Sequence, residues 1–410
     1  MELEVFELKN GIRVVHQQSF GTDVAHFGLL INVGTRDEED HEQGLAHFIE
    51  HVIFKGTKKR KAHHILSRLD AVGGELNAYT TKEDTVLYTS FLKSHYNRAF
   101  ELVSDIIYNS QFPPNELEKE KEVIYDEINS YLDNPSEQIF DDFEGYLFEN
   151  HPLGKNILGT KKHLKTFNRK MVHAFMKKHY HAQNMVIAST GPASAKRIFA
   201  LAEKYFSEVP SSSNNHRSSL DFIPVQKEIS LEKDLMQSHC ILGTSSYSAT
   251  HKYKTGMVLL SNYLGGPAMN SKLNMEIREK NGYTYNIEAS YSPFTDTGLF
   301  SIYYGTDAKY TGRVDKLIRK QLDLLTDKKM GVNQLHMAKQ QLIGQIALSQ
   351  ENKVNLMLAL GKSLLLYDRV DTIQEVYDQI TAVTAEDIIE IANENLSPKL
   401  LSSLYYLPKN

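Results

Sequence analysis

The stretch NELEKEKEVIYDEI, residues 115–128, aligns without gaps on NQLHMAKQQLIGQI, residues 333–346, so that 115 corresponds to 333 at an offset of 218. Further along the chain, residues 167–192 align on residues 383–408 at an offset of 216. One pair of amphipathic helices would align passably by chance. Two blocks in the same order and at nearly the same offset indicate that the chain contains two related halves.

A polar stretch separates the two halves. Residues 208–219 read EVPSSSNNHRSS, and such Ser/Asn-rich runs between patterned segments are typical of linkers. We therefore predict an N-terminal domain at 1–209, a linker at 210–218 and a C-terminal domain at 219–410. In each domain, short β-branched or aromatic runs mix with amphipathic helical runs, without strict strand–helix alternation. This pattern predicts an α+β fold of two homologous domains, each a mainly antiparallel sheet packed with helices.

The composition excludes several classes of protein. With 410 residues, of which 41% are hydrophobic and 24% charged, the chain is long enough for two globular domains. No apolar run approaches the roughly 20 residues of a membrane helix, and a net charge of −5 provides no broad basic field for nucleic acid. The single cysteine, Cys240, cannot form an intramolecular disulfide, and no export signal is visible. We therefore predict a cytoplasmic protein, with the periplasm open if a signal was trimmed.

The sequence HFIEH places three possible metal-binding side chains at helical spacing. On a helix, His47 and His51 lie one turn apart on the same face, and Glu50 lies beside them. Neutral imidazoles and carboxylates are standard zinc ligands, and a catalytic zinc site takes three ligands from the protein. The alternative is a helix that is merely polar on one side, because a short motif also occurs by chance. His47 and His51 supply two ligands, so a third ligand must come from elsewhere in the chain.

The best candidate region for the missing ligand is the acidic helix ELEKEKEVIYDEINSYLDN. Glu120 and Glu127 are seven residues apart in it and share one face. In the C-terminal repeat these acids are replaced by Ala338 and Gln345, whereas the aligned apolar positions persist. The packing face is therefore repeated and the acids are not, so we expect only the N-terminal half to hold a metal ion.

Several stretches together resemble the pitrilysin and insulinase family of inverted-motif zinc peptidases, whose signature is H-x-x-E-H. The resemblance covers nearly the whole chain and is closest to the bacterial branch similar to mitochondrial processing peptidase. It implies a zinc-dependent endopeptidase. Besides HFIEH, the similar stretches are FKGTKKR from Phe54, LNAYTTKEDTVLY from Leu76, EKEKEVIYDEI from Glu118, HPLGKNILGT from His151 and LGGPAMNSKLNMEIREKNGYTY from Leu264.

The resemblance also implies a role for individual residues. His47, His51 and Glu127, which lies 76 residues beyond His51, would hold one zinc ion per chain. Glu50 would be the general base that takes a proton from zinc-bound water, and Glu120 would be a further acid that supports the site. The remaining roles concern the substrate: Asn77 and Ala78 on an edge strand that pairs with peptide backbone, and Arg278 and Tyr285 of the non-zinc half, which contact the substrate carbonyl and backbone.

The resemblance further implies an assembly. Chains of this length build a closed chamber from two subunits, and its substrates are peptides or unfolded segments. Because this chain contains the zinc residues together with Arg278 and Tyr285, we expect a homodimer in which each subunit completes the active site of the other. Two alternatives stay open: a non-catalytic, structural or chaperone-like member, and the zinc subunit of a heterodimeric peptidase. Ligation by His and carboxylate would also accept manganese or cobalt.

Overall fold

The computed structural model describes residues 3–212, 217 and 226–409 and shows two compact units. No helix in this described part of the chain is both long enough and apolar enough to span a bilayer. Each unit is assembled from three segments of the sequence. The first unit contains Met1–Asn129, Lys155–Ser218 and Leu348–Val370, and the second contains Ser130–Gly154, Ser219–Ala347 and Asp371–Asn410.

A six-stranded sheet organises the first unit. Its strands are β1 Leu3–Glu7, β2 Arg13–Gln18, β3 Val24–Ile31, β4 Glu75–Thr80, β5 Thr85–Leu92 and β6 Met185–Gly191. Their spatial order is β1–β2–β6–β3–β5–β4, in which β2 and β6 are parallel and the other neighbours are antiparallel. Strand β6 is buried along its whole length, as expected for a central strand covered on both faces. Strand β4 lies at an edge, so none of the described strands pairs with one side of its backbone.

The second unit contains a five-stranded sheet with a matching topology. Its strands are β7 Glu228–Lys233, β8 Ser238–Ser246, β9 Thr284–Pro293, β10 Gly298–Thr306 and β11 Ser402–Pro408. The spatial order β7–β11–β8–β10–β9 repeats the order β2–β6–β3–β5–β4, and β7 and β11 are again the parallel pair. The predicted α+β fold of two homologous, mainly antiparallel domains is confirmed.

The internal sequence repeat corresponds to pairs of equivalent helices. The two aligned blocks are corresponding helices: α4 and α11 both have 19 residues and begin 218 positions apart, and α7 and α14 both have 11 residues and begin 216 positions apart. The helix bounds are α1 Leu45–Val52, α2 Ala62–Asp70, α3 Tyr96–Asn109, α4 Pro114–Leu132, α5 Pro135–Leu147, α6 Lys161–Thr166, α7 Arg169–His179, α8 Ala195–Phe206, α9 Lys254–Gly265, α10 Thr311–Asp327, α11 Val332–Gln350, α12 Lys353–Tyr367, α13 Ile373–Ala382 and α14 Ala385–Asn395, with a π-helical segment at Asn274–Glu279.

Helices cover both faces of each sheet. Along β3, Leu29 and Ile31 join the core formed with α1, α3 and α8, whereas Leu30 points to the opposite face, because side chains alternate along a strand. That opposite face is covered by α12, through Leu356, Met357, Leu360 and Leu364. In the second unit the equivalent face is covered by α5, through Ile139, Phe143 and Leu147.

Helices α5 and α12 make the compact units differ from the continuous ranges 1–209 and 219–410. Helix α5 lies within the first range but belongs to the second unit, and α12 lies within the second range but belongs to the first unit. The amphipathic pattern of a helix shows that it covers a surface, but it does not show which sheet provides that surface. Residues 213–216 and 218 of the predicted linker lie outside the described residues.

Candidate metal centre

Helix α1 has one apolar face and one polar face. The apolar side chains recur at helical spacing and are fully buried in the core of the first unit: Leu45, Phe48, Ile49 and Val52. This packing turns His47 and His51 toward α4, with Glu50 between them along the helix. Because the apolar side of α1 is buried in the core, the polar side chains of the same two turns point away from the core and toward α4.

Three possible ligand atoms converge between α1 and α4. The Nε2 atoms of His47 and His51 lie 3.6 Å and 3.4 Å from the same Oε2 atom of Glu127. All three atoms lie within 4.8 Å of one another. Among the residues that the structure describes, this is the one group of three or more His, Cys, Asp or Glu side chains whose ligand atoms are placed for a common ion.

The two imidazoles have different environments. Burial, together with the charge of His51, lowers the pKa of His47 to about 4, so this ring is neutral near pH 7. Burial also opposes protonation of His51, but the contact with Glu127 and the charges of Glu127 and Glu50 outweigh it and raise the pKa of His51. The same contact lowers the pKa of Glu127, so its carboxylate is ionised. A metal ion that binds here would compete with a proton for the Nε2 atom of His51.

The donor set fits a zinc ion. His47 is only 6% exposed, its Nδ1 atom has no hydrogen-bond partner, and its Nε2 atom is too far from Glu127 for a hydrogen bond. A buried imidazole without hydrogen bonds is costly unless its lone pair binds something else. The spacings of 3.4 Å and 3.6 Å also approach the roughly 3.3–3.4 Å edge of a tetrahedron whose zinc–ligand bonds are about 2.0–2.1 Å long.

A chain of polar contacts leads from His51 away from the ligand atoms. The Nδ1 atom of His51 lies 3.3 Å from Oε2 of Glu120, and Oε1 of Glu120 lies 2.5 Å from Nζ of Lys55. A carboxylate on this side favours a proton on Nδ1 and leaves the Nε2 lone pair free to bind a metal ion. Glu120 is among the site residues predicted from the sequence. Lys55 is not, because a lysine in the basic stretch FKGTKKR is typical of the solvent-exposed surface.

Glu50 lies against the edge strand β4. Burial raises the pKa of Glu50, while the neighbouring Thr80, the last residue of β4, acts in the opposite direction. A carboxylate with a raised pKa suits proton transfer near neutral pH. The structure places Asn77 and Ala78 in the same edge strand. The base candidate and the proposed peptide-binding residues therefore share one part of the first unit.

Arg278 and Tyr285 lie together in the second unit. Arg278 belongs to the π-helical segment, and Tyr285 is the second residue of the edge strand β9. The Arg278 guanidinium lies 5.0 Å from the centre of the Tyr285 ring, a distance typical of a cation–π contact. Tyr285 is 84% exposed in this chain. The pair is thus preformed and accessible, and its contact with substrate stays a prediction.

Comparison with known proteins identifies the family. Residues 13–161 match the family described as insulinase (peptidase family M16), and residues 166–342 match the peptidase M16 inactive domain. An uncharacterized zinc protease of Rickettsia bellii is 32% identical over 403 residues, which cover 98% of this chain and 96% of the relative. The chain belongs to peptidase family M16. The family resemblance inferred from the motifs is confirmed, and His47, His51 and Glu127, the three candidate ligands, lie within the insulinase match.

Other M16 proteins are similar along their whole length. The uncharacterized zinc protease YmxG of Bacillus subtilis is 31% identical over 389 residues, covering 95% of this chain and 94% of the relative. The crystal structure of a protease from Helicobacter pylori has a TM-score of 0.92 at 20% identity and covers 99% of both chains. A structure described as the peptidase M16 inactive domain from Pseudomonas fluorescens has a TM-score of 0.93 at 18% identity, covering 100% of this chain and 98% of its own. At such identities these two structures show the M16 fold alone.

Proposed function

We propose that this M16 protein is a zinc-dependent endopeptidase that hydrolyses peptides or unfolded segments. The observation that carries the proposal is the convergence of His47, His51 and Glu127 on one point, with Glu50 beside them. The zinc protease names of the relatives from Rickettsia bellii and Bacillus subtilis support the metal and the reaction. The inactive-domain match is compatible with activity, because all four residues lie outside it.

Zinc held by His47, His51 and Glu127 would polarise the scissile carbonyl and lower the pKa of water. Glu50 takes a proton from the attacking water and returns it to the leaving amine. Its burial raises its pKa and so suits a group that both accepts and donates a proton. Glu120 contacts Nδ1 of His51, which keeps Nε2 of that ring facing Glu127.

The edge strand β4 supplies a surface for an extended peptide. Asn77 and Ala78 lie in the middle of β4, whose outer edge pairs with no strand in the part of the chain that the structure describes. An added strand is held by backbone hydrogen bonds, with side-chain pockets giving specificity. Thr80 of the same strand is a neighbour of Glu50, so a peptide paired along β4 would run toward the base. Arg278 and Tyr285 would donate to the substrate carbonyl and backbone.

We further propose one zinc ion per chain and a homodimer, in which Arg278 and Tyr285 of one subunit serve the zinc ligands of its partner. This part of the proposal rests on the presence of both residue sets in one chain. The cytoplasmic location is also a prediction, supported by a single cysteine, Cys240, that is free and buried. The alternatives are a non-catalytic member of the family and the zinc subunit of a heterodimer.

Cleavage of a mixed peptide library by the purified chain, with its zinc content measured, tests the proposed function. We expect the wild type to cleave and Glu50→Gln to lose at least about 10²-fold in rate while it keeps its fold and zinc, because the water then has no base. Glu127→Gln should lower the zinc content instead. The matched control is Glu122→Gln, which changes an exposed carboxylate on the same helix and should leave both zinc content and cleavage unchanged.

The other outcomes are equally informative. Wild-type cleavage rates in Glu50→Gln would refute the assignment of the base. Zinc bound at about one ion per chain, with no cleavage by the wild type, would favour the non-catalytic alternative or a missing partner chain. The mass of the pure protein in solution separates these last two, because an inactive monomer would point to a missing partner.

A further inference from the structure

Glu38 is a buried acid in the loop that precedes the metal-binding helix. It is 4% exposed and lies between two short 3₁₀ turns, Thr35–Asp37 and Asp40–Glu42. The backbone N–H of Gly44 donates to its Oε2 atom and the backbone N–H of Ala46 donates to its Oε1 atom, both at 2.8 Å. Both carboxyl oxygens of Glu38 are therefore engaged by the start of α1.

These two hydrogen bonds replace an ordinary helix cap. Helix α1 has Gly44 at its N-cap position, where no side chain is available to accept the free N–H groups of the first turn. Only glycine fits there, because φ is +93° and an added Cβ would lie 2.7 Å from Cα of Gly159. Glu38 supplies the missing acceptors from six residues upstream. One of the two donors, Ala46, directly precedes His47.

The loop that contains Glu38 is itself fixed. Nζ of Lys155 donates to the backbone oxygen of Glu38 at 3.1 Å and pairs with Asp40 at 3.0 Å. The N–H groups of residues 35 and 36 donate to the carbonyl oxygens of residues 81 and 82, in the turn that follows the edge strand β4. Burial raises the pKa of Glu38 to about 8, whereas the two amide hydrogen bonds and Lys155 act in the opposite direction. Glu38 thus joins the first turn of α1 to a loop anchored beside β4.

We propose that Glu38 is a positioning residue of the metal centre. By holding the N–H groups of Gly44 and Ala46, it sets the position of the first turn of α1 and hence of the His47 ring, which has no hydrogen bond of its own. The metal-binding part of this inference rests on the ligand set alone. The expected effect on cleavage kinetics rests on the proposed peptidase function. Metal binding and cleavage kinetics are therefore measured separately.

The test compares Glu38→Gln with Glu42→Gln in the full-length protein. Glutamine keeps the shape of Glu38 but turns an NH₂ group toward a backbone N–H, so one of the two hydrogen bonds is lost in either arrangement. Glu42 is a matched control: it is 8% exposed, belongs to the same loop and accepts from the backbone N–H of Glu39, and among the described residues no hydrogen bond joins its side chain to α1. Zinc affinity is measured by chelator competition, and the visible spectrum of the cobalt(II)-loaded protein reports the ligand geometry.

For Glu38→Gln we expect zinc binding to weaken about 10-fold, the size of effect that supporting residues of metal sites produce, with a changed cobalt spectrum. We expect Glu42→Gln to match the wild type in both. If the wild type cleaves peptides, kcat should fall in Glu38→Gln with little change in KM, because β4 is untouched. If the wild type does not cleave, the zinc and cobalt measurements still test Glu38.

A wild-type zinc affinity and cobalt spectrum in folded Glu38→Gln would overturn the proposal. Equal losses in Glu38→Gln and Glu42→Gln would also overturn it, because a general loosening of the loop would then explain both. If Glu38→Gln does not fold, the same measurements are made on Glu38→Asp, which keeps two oxygens on a shorter side chain. That variant should bind zinc more weakly than the wild type, and an unchanged affinity would contradict the inference.

Discussion

Lys55 places a positive charge next to the acid that orients His51. Its Nζ atom lies 2.5 Å from Oε1 of Glu120, and the Glu120 side chain is only 10% exposed. A buried carboxylate without a cation is unfavourable and is free to take other rotamers. With Lys55 in place, the second oxygen of Glu120 stays 3.3 Å from Nδ1 of His51. Lys55 is therefore linked to the candidate metal centre through two intervening groups, Glu120 and His51.

Replacing Lys55 should weaken metal binding without removing a ligand. In Lys55→Met the Glu120 carboxylate loses its cation, so we expect the zinc dissociation constant to rise about 10-fold, as for other residues that support metal ligands. Lys55→Arg should recover part of this loss. Chelator competition measures the constant, and Lys59→Met, at an exposed lysine in the same stretch, is the control. Equal zinc affinity in Lys55→Met and Lys59→Met would show that Lys55 has no such role.

The sequence indicates the candidate metal ligands, but it does not indicate the residues that keep those ligands in position. Helical spacing predicts His47 and His51 as candidate ligands, and the acidic helix together with the family resemblance predicts Glu127 as the third. Glu38 lies in the acidic run DEEDHE and Lys55 in a basic run, so each has the local signature of solvated surface. Burial and hydrogen-bond geometry, which appear only in the folded chain, distinguish them from their exposed neighbours.

At the scale of elements, the sequence repeat predicts that the two halves contain corresponding helices. It does not predict which compact unit each helix joins. Helices α5 and α12 follow α4 and α11 after short turns, at equivalent points of the repeat. Each then joins the compact unit opposite to the one in which its continuous sequence range would place it. Because an apolar stripe does not by itself show which sheet a helix covers, the choice depends on close packing. Gly361 in α12 is one position where that packing is visible.

Gly361 allows α12 to approach the sheet of the first unit. An added Cβ would lie 2.6 Å from Cδ1 of Leu30 and 2.9 Å from Cβ of Ala188. We therefore expect Gly361→Ala to lower the free energy of unfolding by about 1–3 kcal/mol through overpacking. Gly344→Ala in α11, where a Cβ meets nothing within 4 Å, should raise it by up to about 1 kcal/mol. Urea unfolding measures both, and stabilisation by both substitutions would contradict close packing at Gly361.

At the scale of the whole molecule, the two halves share one fold but carry different sets of polar side chains. The first unit contains the candidate metal ligands and Glu50 near the edge strand β4, whereas the second contains Arg278 in its π-helical segment and Tyr285 in the equivalent edge strand β9. In α11, the positions that correspond to Glu120 and Glu127 are an alanine and a glutamine. The proposed homodimer combines the two sets of side chains from different subunits in one active site, and this arrangement can be tested by measurement.

Mixing two inactive variants distinguishes a site shared between subunits from a site within one chain. In a hybrid of Glu50→Gln and Arg278→Ala, a shared arrangement leaves one site with both an intact Glu50 and an intact Arg278, whereas a site within one chain is damaged in both subunits. Random pairing of equal amounts makes half of the dimers hybrid, so we expect about one quarter of the wild-type cleavage rate to return. Co-purification through two different tags establishes that hybrids have formed. Tagged hybrids that cleave no faster than Arg278→Ala alone would place each active site within a single chain.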